Sequence, residues 1–249
     1  MKDFEILIKK KNVSKKPKVA IQGLPGIGNV GKLAVDFLIR ESKARELAEI
    51  RSFFFPNTVF VNELGLVEPS CIKLFSKSLK SCDIIMISGN VQPSTDKGCH
   101  VISKNLAAYL DSINTKTLIT LGGVGVSEEP KKPKVFCTAN SAGILSEFKS
   151  EFPLEDAYGS IGPISGLAGL MLCDASRHNI SSICLVSETV SNPFFIGLDA
   201  ARELVNILTA KYDFGIDPGS FDSLFPKDSS QQPPHQADQA VQTGLDYIG

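Results

Sequence analysis

A chain of 249 residues, 43% hydrophobic and 21% charged, fits one large α/β domain or two small ones with a substantial core. The net charge of −1 argues against a general nucleic-acid binder, which carries a clear basic excess. No apolar stretch is long enough to span a bilayer, and the start lacks the apolar core of a signal peptide, so a cytoplasmic protein without a membrane partner is expected.

In chain order, residues 4–9 alternate apolar and polar side chains and predict an edge strand. Residues 9–18 follow with Lys9, Lys10, Lys11, Lys15, Lys16 and Lys18 and no acid, which reads as a solvated loop. Val19 to Leu24 predicts a short buried strand, and 29–40 a helix with Asn29 in capping position. Strands are predicted over 48–55 and 58–62, broken by Pro56 and Asn57. A buried strand covers 83–89, a helix about 95–113, and a strand 117–121 that ends in Gly122 and Gly123. A short strand at 135–139, a helix at 141–149, a long helix at about 163–177, a buried strand at 182–187 and an amphipathic helix at about 194–212 complete the pattern. Buried strands alternating with helices imply a mostly parallel or mixed sheet with helices on both faces. One domain over 1–212 is expected, followed by an extended, flexible tail over 213–249. Within it, 226–234 is polar, proline-rich and too poor in apolar side chains to pack.

The stretch Gly23-Leu24-Pro25-Gly26-Ile27-Gly28-Asn29-Val30-Gly31 joins a strand to a helix and satisfies the G-x-G-x-x-G spacing of a dinucleotide loop. The acid that grips a ribose is missing, because the following strand ends in Phe-Pro-Asn. Lys32 is followed by Leu33, where a P-loop has Ser or Thr, and Pro25 removes a backbone donor. Gly23, Gly26, Gly28 and Gly31 are therefore read as a structural loop that lets a helix lie close to a sheet. Gly162, Gly166 and Gly169 fall at i, i+4 and i+7 of the predicted 163–177 helix. Each interior glycine costs on the order of 1 kcal/mol, so the three are read as a packing or oligomer face.

The catalytic inventory is thin. The three histidines, His100, His178 and His235, have no nucleophile or acid beside them in a triad pattern. No cluster with metal-ligand spacing occurs, so no metal is expected. The six cysteines form neither C-x-x-C pairs nor a disulfide framework and read as reduced thiols, several in the core. Glu188, after a buried strand, is the one acid placed to hold a ribose diol, although a solvated role at the turn into the last helix fits it as well.

Four stretches in order carry a resemblance: Gly23 to Gly31, Ser88-Gly89-Asn90-Val91-Gln92-Pro93, Thr120-Leu121-Gly122-Gly123, and Gly159 to Leu170. Together with Ser187-Glu188-Thr189 they resemble the proteasome assembly chaperone family of the second-subunit type, including its archaeal members. The resemblance covers about 17–210. It implies a three-layer α/β/α sandwich related to nucleoside phosphorylases but without their catalytic residues. It further implies a non-enzymatic protein that binds the α-subunit ring of the proteasome core particle, without nucleotide or other cofactor.

Many members of that family end in a hydrophobic-Tyr-X tail that enters pockets between α subunits. Here Leu245, Tyr247, Ile248 and Gly249 supply the ingredients. Tyr247 is third from the end rather than next to last, and Asp246 takes the hydrophobic place before it. The 17 residues from Lys227 to Thr243 would act as a tether with a mean span of roughly 20–25 Å. On a homo-oligomer, several such tails would raise the effective concentration at a ring of repeated pockets. The leading expectation is a homo-oligomeric partner of proteasome α subunits. The alternative is a nucleoside- or nucleotide-handling enzyme that uses Glu188 and the Gly26–Gly31 loop.

Overall fold

The computed structural model describes residues 4–9 and 15–224. Its elements in chain order are β1 (Phe4–Ile8), β2 (Lys18–Gly23), α1 (Val30–Glu41), β3 (Arg45–Ser52), β4 (Val59–Val61), β5 (Val67–Pro69), β6 (Ile72–Ser78), β7 (Asp83–Gly89), α2 (Asp96–Ser112), β8 (Thr115–Val126), β9 (Val135–Ala139), α3 (Ala142–Glu151), β10 (Glu155–Asp156), α4 (Gly166–Ser176), β11 (Ser181–Val190), α5 (Leu198–Lys211) and α6 (Ser220–Leu224).

Four strands, β7-β2-β8-β11, run parallel at the centre of a nine-stranded sheet. Each reads as a near-continuous apolar run because both of its faces are covered. In β2 all of Lys18–Gly23 are buried, and in β7 only Gly89 reaches solvent in part. Antiparallel strands β6, β3 and β1 extend one side, while β9 and β10 extend the other, in the order β1-β3-β6-β7-β2-β8-β11-β9-β10. The sheet is thus mixed, within the expected class.

Helices close both faces. On one, α1, α3, α5 and α6 bury Val35, Phe148, Leu204 and Phe221 against Ile21, Ile119 and Ile183. On the other, α2 and α4 bury Leu106 and Met171 against Ile85, Ile87 and Leu118. Ser103 Oγ donates to the buried Asp174 carboxylate at 2.6 Å and ties α2 to α4. This is the three-layer sandwich.

Several elements differ from expectation. The strand β6 adds to the expected set, and its alternation in Ile72-Lys73-Leu74 signals it; β5 and β10 are too short to leave a period. Helix α5 starts at Leu198 rather than near 194, since the backbone before it turns to bond Gly197 N to Gly28 O at 2.9 Å. Lysines 10 and 11 of the basic run lie outside the described residues. Lys9 pairs with Glu46 at 2.5 Å and Glu49 at 3.1 Å, and Lys18 is buried with its ammonium on the Lys16 carbonyl at 3.1 Å. The run is therefore partly structural rather than wholly solvated.

The packed body also continues past residue 212, where the tail was expected to begin. Phe214 and Phe221 are buried, and the Phe221 ring stands 5.2 Å from that of Phe37 on α1. Two aromatic side chains at the end of an otherwise polar stretch escape any periodicity test. The rest of the expected tail, 225–249, lies outside the described residues.

All six cysteines are free, and Cys71, Cys82, Cys137 and Cys184 are buried. Burial pushes the Cys184 thiol up to about 11 and raises those of Cys71, Cys82 and Cys137. These four thiols are expected to stay unmodified in the native protein and to react fully once it is unfolded. Intact-mass analysis after treatment with a thiol reagent checks this, and native labelling at Cys184 would contradict the packing described.

Candidate functional site

The glycine loop is built by two conformations that only particular residues tolerate. After β2, Gly26 is extended at φ −173°, and the 3-10 turn Ile27–Asn29 then places Gly28 at φ +59° and Asn29 at φ +52°. Asn29 is left-handed and makes no side-chain capping bond, contrary to the expected cap. Asparagine is the residue that best tolerates this region after glycine.

The glycines do different jobs. A Cβ on Gly23 would lie 1.9 Å from the Gly31 carbonyl oxygen, and one on Gly31 would lie 2.5 Å from that of Leu121. The start of α1 therefore rests directly on β2 and β8. A Cβ on Gly28 would meet the Thr189 hydroxyl at 2.7 Å, and one on Gly123 the Ile27 carbonyl oxygen at 2.4 Å. Gly26 differs, because its Cβ would meet nothing nearer than the Leu24 carbonyl oxygen at 4.0 Å. Three of the four expected structural glycines are packing positions, and the fourth opens onto a cavity.

That cavity, about 330 Å³, lies at the carboxyl ends of β2 and β8. Open α/β sheets place their ligand crevices at such strand ends. Its walls are Gln22, Gly26 and Ile27, then Gly122 to Gly125, then Gln92, and Ile161 to Gly166 ahead of α4. The four motifs that are scattered in sequence thus converge on one cleft. Gln92 fastens them: its side-chain amide donates to the Pro25 carbonyl, and its Oε1 accepts from Leu167 N at 3.4 Å.

Chemically the cleft is neutral. Its polar side chains are Gln22, Gln92 and Ser165, and none of its lining residues is ionisable. It offers amide and backbone groups for hydrogen bonding, but no base, no acid and no cation to match a phosphate. Gln22 is buried in β2 and its Oε1 lacks a hydrogen-bond partner. The sequence signal for this position is a glutamine that follows the apolar run Val19-Ala20-Ile21 within a buried strand.

Of the other predicted residues, Gly162 and Gly166 line the cleft, whereas Glu188 and Gly169 do not. The Glu188 carboxylate accepts from Lys134 N at 3.0 Å and is absent from the cleft lining, so it does not meet the Gly26–Gly31 loop in one cavity. The expected stripe of Gly162, Gly166 and Gly169 does not form. Gly162 precedes the helix, Gly166 opens α4 in the left-handed region at φ +73°, and only Gly169 is interior. The helix thus starts at Gly166 rather than at about Pro163. The structure keeps 161–165 as a strap that crosses α4, where a Cβ on Gly169 would lie 2.2 Å from the Ile164 carbonyl oxygen.

His178 sits just after α4 with Nδ1 3.1 Å from an Asp111 carboxylate oxygen. His235 and the tail residues Leu245, Tyr247, Ile248 and Gly249 lie outside the described residues. Among the described residues no group of three or more His, Cys, Asp or Glu stands together to hold a metal ion, and no helix is long and apolar enough to cross a membrane.

The profile of the PAC2 family matches residues 20–223. An uncharacterized protein of Methanocaldococcus jannaschii is 32% identical over 185 residues, covering 74% of this chain and 70% of that protein. Among solved structures, Pyrococcus furiosus PbaB, described as an archaeal proteasome activator, superposes with a TM-score of 0.81 at 27% identity, covering 90% of this chain and 95% of that one. Pyrococcus furiosus PbaA, described as an archaeal homolog of proteasome-assembly chaperone, superposes with a TM-score of 0.75 at 22% identity, over 90% and 87%. At that identity PbaA supports the fold alone.

Proposed function

Since the chain belongs to the PAC2 family, we propose that it is a cytoplasmic, non-enzymatic partner of the proteasome that binds the α-subunit ring of the core particle as a homo-oligomer. The single observation that carries this reading is the 27% identity and near-complete superposition with an archaeal proteasome activator. The chemistry of the cleft supports it: a neutral crevice of glycines, amides and aliphatic side chains gives a reaction nothing to run on. The same neutrality weighs against the nucleoside-handling alternative, which needs Glu188 beside the glycine loop.

Contact with the ring is assigned to the segment 241–249, with Leu245, Tyr247 and Ile248 as anchors and Gly249 beside them. Tyrosine gives a rigid apolar ring with a polar tip, the side chain that most often dominates an interface. Deleting 241–249 should reduce capture of proteasome α subunits from native cell extract roughly tenfold or more, by loss of multivalent docking. The thermal unfolding of the shortened protein should stay where it was. Pull-down with mass spectrometry of the bound proteins reads both arms. Undiminished capture sinks the role of the segment, and capture of no proteasome subunit by either form sinks the reading as a whole.

A further inference from the structure

The cleft at the carboxyl ends of β2 and β8 holds a polar group that the fold leaves without a partner. Along β2, Val19 and Ile21 belong to the core under α1 and α5, whereas Ala20 belongs to the core under α2 and α4. Strand alternation therefore turns Gln22 towards α4, the side on which the cleft lies. Its neighbours across the sheet are Ile87 on β7 and Thr120 on β8. Ile87 has no polar side-chain atom, and the Thr120 hydroxyl donates to the Ala168 carbonyl at 3.1 Å. Gln22 is 2% exposed and its Oε1 has no hydrogen-bond partner. A buried acceptor in that state has lost its water and gained nothing in return.

The first turn of α4 brings the opposite polarity to the same cavity. Ser165 gives the helix no side-chain cap, and Gly166 and Ala168 line the cleft. Leu167 N reaches Gln92 Oε1 at 3.4 Å, near the limit of a hydrogen bond. Uncapped amides at a helix start carry partial positive charge and attract an acceptor. The other walls are glycine and aliphatic side chains, among them Ile27, Ile161, Ile164 and Val186. A volume of about 330 Å³ lies at the small end of small-molecule pockets, with room for about eleven waters.

We propose that this cleft binds, without transforming it, a small neutral molecule that carries an amide group, as a primary carboxamide or a lactam. The polar groups select that class. The terminal torsion of glutamine is two-fold, so Gln22 can present either its oxygen or its NH2 to the cavity. An amide answers with a donor and an acceptor side by side, and its carbonyl keeps a second lone pair for the amides of α4. The aliphatic walls take the flat ring or short chain that bears it.

The start of α4 by itself would favour an anion. Against that, no ionisable side chain lines the cleft, so a carboxylate or phosphate would enter without a countercharge. A ketone of the same shape lacks the donor and leaves the Gln22 oxygen as it was. The proposal goes beyond the reading as a proteasome partner and is tested on the purified chain alone, so either can fail without the other.

Three probes share one ring and differ in the group on it: nicotinamide, nicotinate and methyl pyridyl ketone. In heteronuclear NMR titrations, nicotinamide should move the side-chain amide signals of Gln22 and the backbone amides of Gly26, Gly123 and Gly166. The Gln22 signals are identified by their loss in Gln22→Leu. The expected Kd is about 1 mM or tighter, as suits a ligand of this size. Valerolactam should move the same signals, while nicotinate and the ketone should bind at least about tenfold more weakly.

Gln22→Leu should fold with an unchanged or higher melting temperature and lose the preference for nicotinamide over the ketone. Gly26→Leu should also fold, since Gly26 is extended and its Cβ would have room, and its side chain would fill the cleft and abolish binding. Circular-dichroism melts establish that both variants are folded. No shift with either amide, equal affinity for nicotinate, or a preference for nicotinamide that persists in Gln22→Leu would each overturn the proposal.

Discussion

Replacing Gly23 by alanine is expected to destabilise the protein by about 3 kcal/mol or to prevent folding, whereas Gly26→Ala should shift stability by less than about 0.5 kcal/mol. The contrast comes from what each new methyl group meets. At Gly23 the Cβ would sit 1.9 Å from the Gly31 carbonyl oxygen and 2.7 Å from Val35 Cγ2. Neither neighbour can give way, because Gly31 is itself seated on the Leu121 carbonyl and Val35 is fully buried. Relief requires α1 to lift from β2 and β8, which opens the largest core cluster. At Gly26 the backbone is extended, a conformation open to any residue, and the space beside it is empty. Urea unfolding midpoints of the two variants, with soluble yield for the first, measure the difference. Equal costs at the two positions would contradict the division of the loop into packing glycines and one cavity-facing glycine.

Phe221→Ala should cost about 3–5 kcal/mol, the usual range for emptying a buried aromatic site. The ring is fully buried, stands 5.2 Å from the Phe37 ring, and belongs to the same core cluster as α1 and α5. A chain cut after 212 should lose at least as much, because it also gives up the buried Phe214. Chemical denaturation of the substituted and shortened proteins reads this directly. A truncated protein as stable as the full chain would restore the domain limit that the composition suggested.

These two effects share a cause, which is contact between segments far apart in sequence. The same cause explains what happened to the predicted site residues. Gly28, Thr189 and Gly197 meet at one point, though about 160 positions separate the first from the second. Gln92 joins Pro25 to the start of α4. A motif search finds each segment singly and is silent on the distance between them.

The sequence by itself determined the alternation of buried strands and amphipathic helices, and with it the mixed sheet covered on both faces. Those patterns are local: a buried strand must be apolar throughout, and a helix covering one face repeats every three to four residues. The ordered glycine motifs also marked the family, since the close approach of α1 to β2 and β8 leaves no room for a side chain at Gly23 or Gly31. The absence of an acid after the strand that follows the loop was likewise legible.

Only the tertiary structure decided that the motifs line one neutral cleft, that Glu188 stands outside it, and that Gly162, Gly166 and Gly169 form no stripe. It alone moved Phe214 and Phe221 into the core. Each of these depends on which surface a side chain finds across the fold, and that follows from strand order and helix placement rather than from any neighbour in the chain.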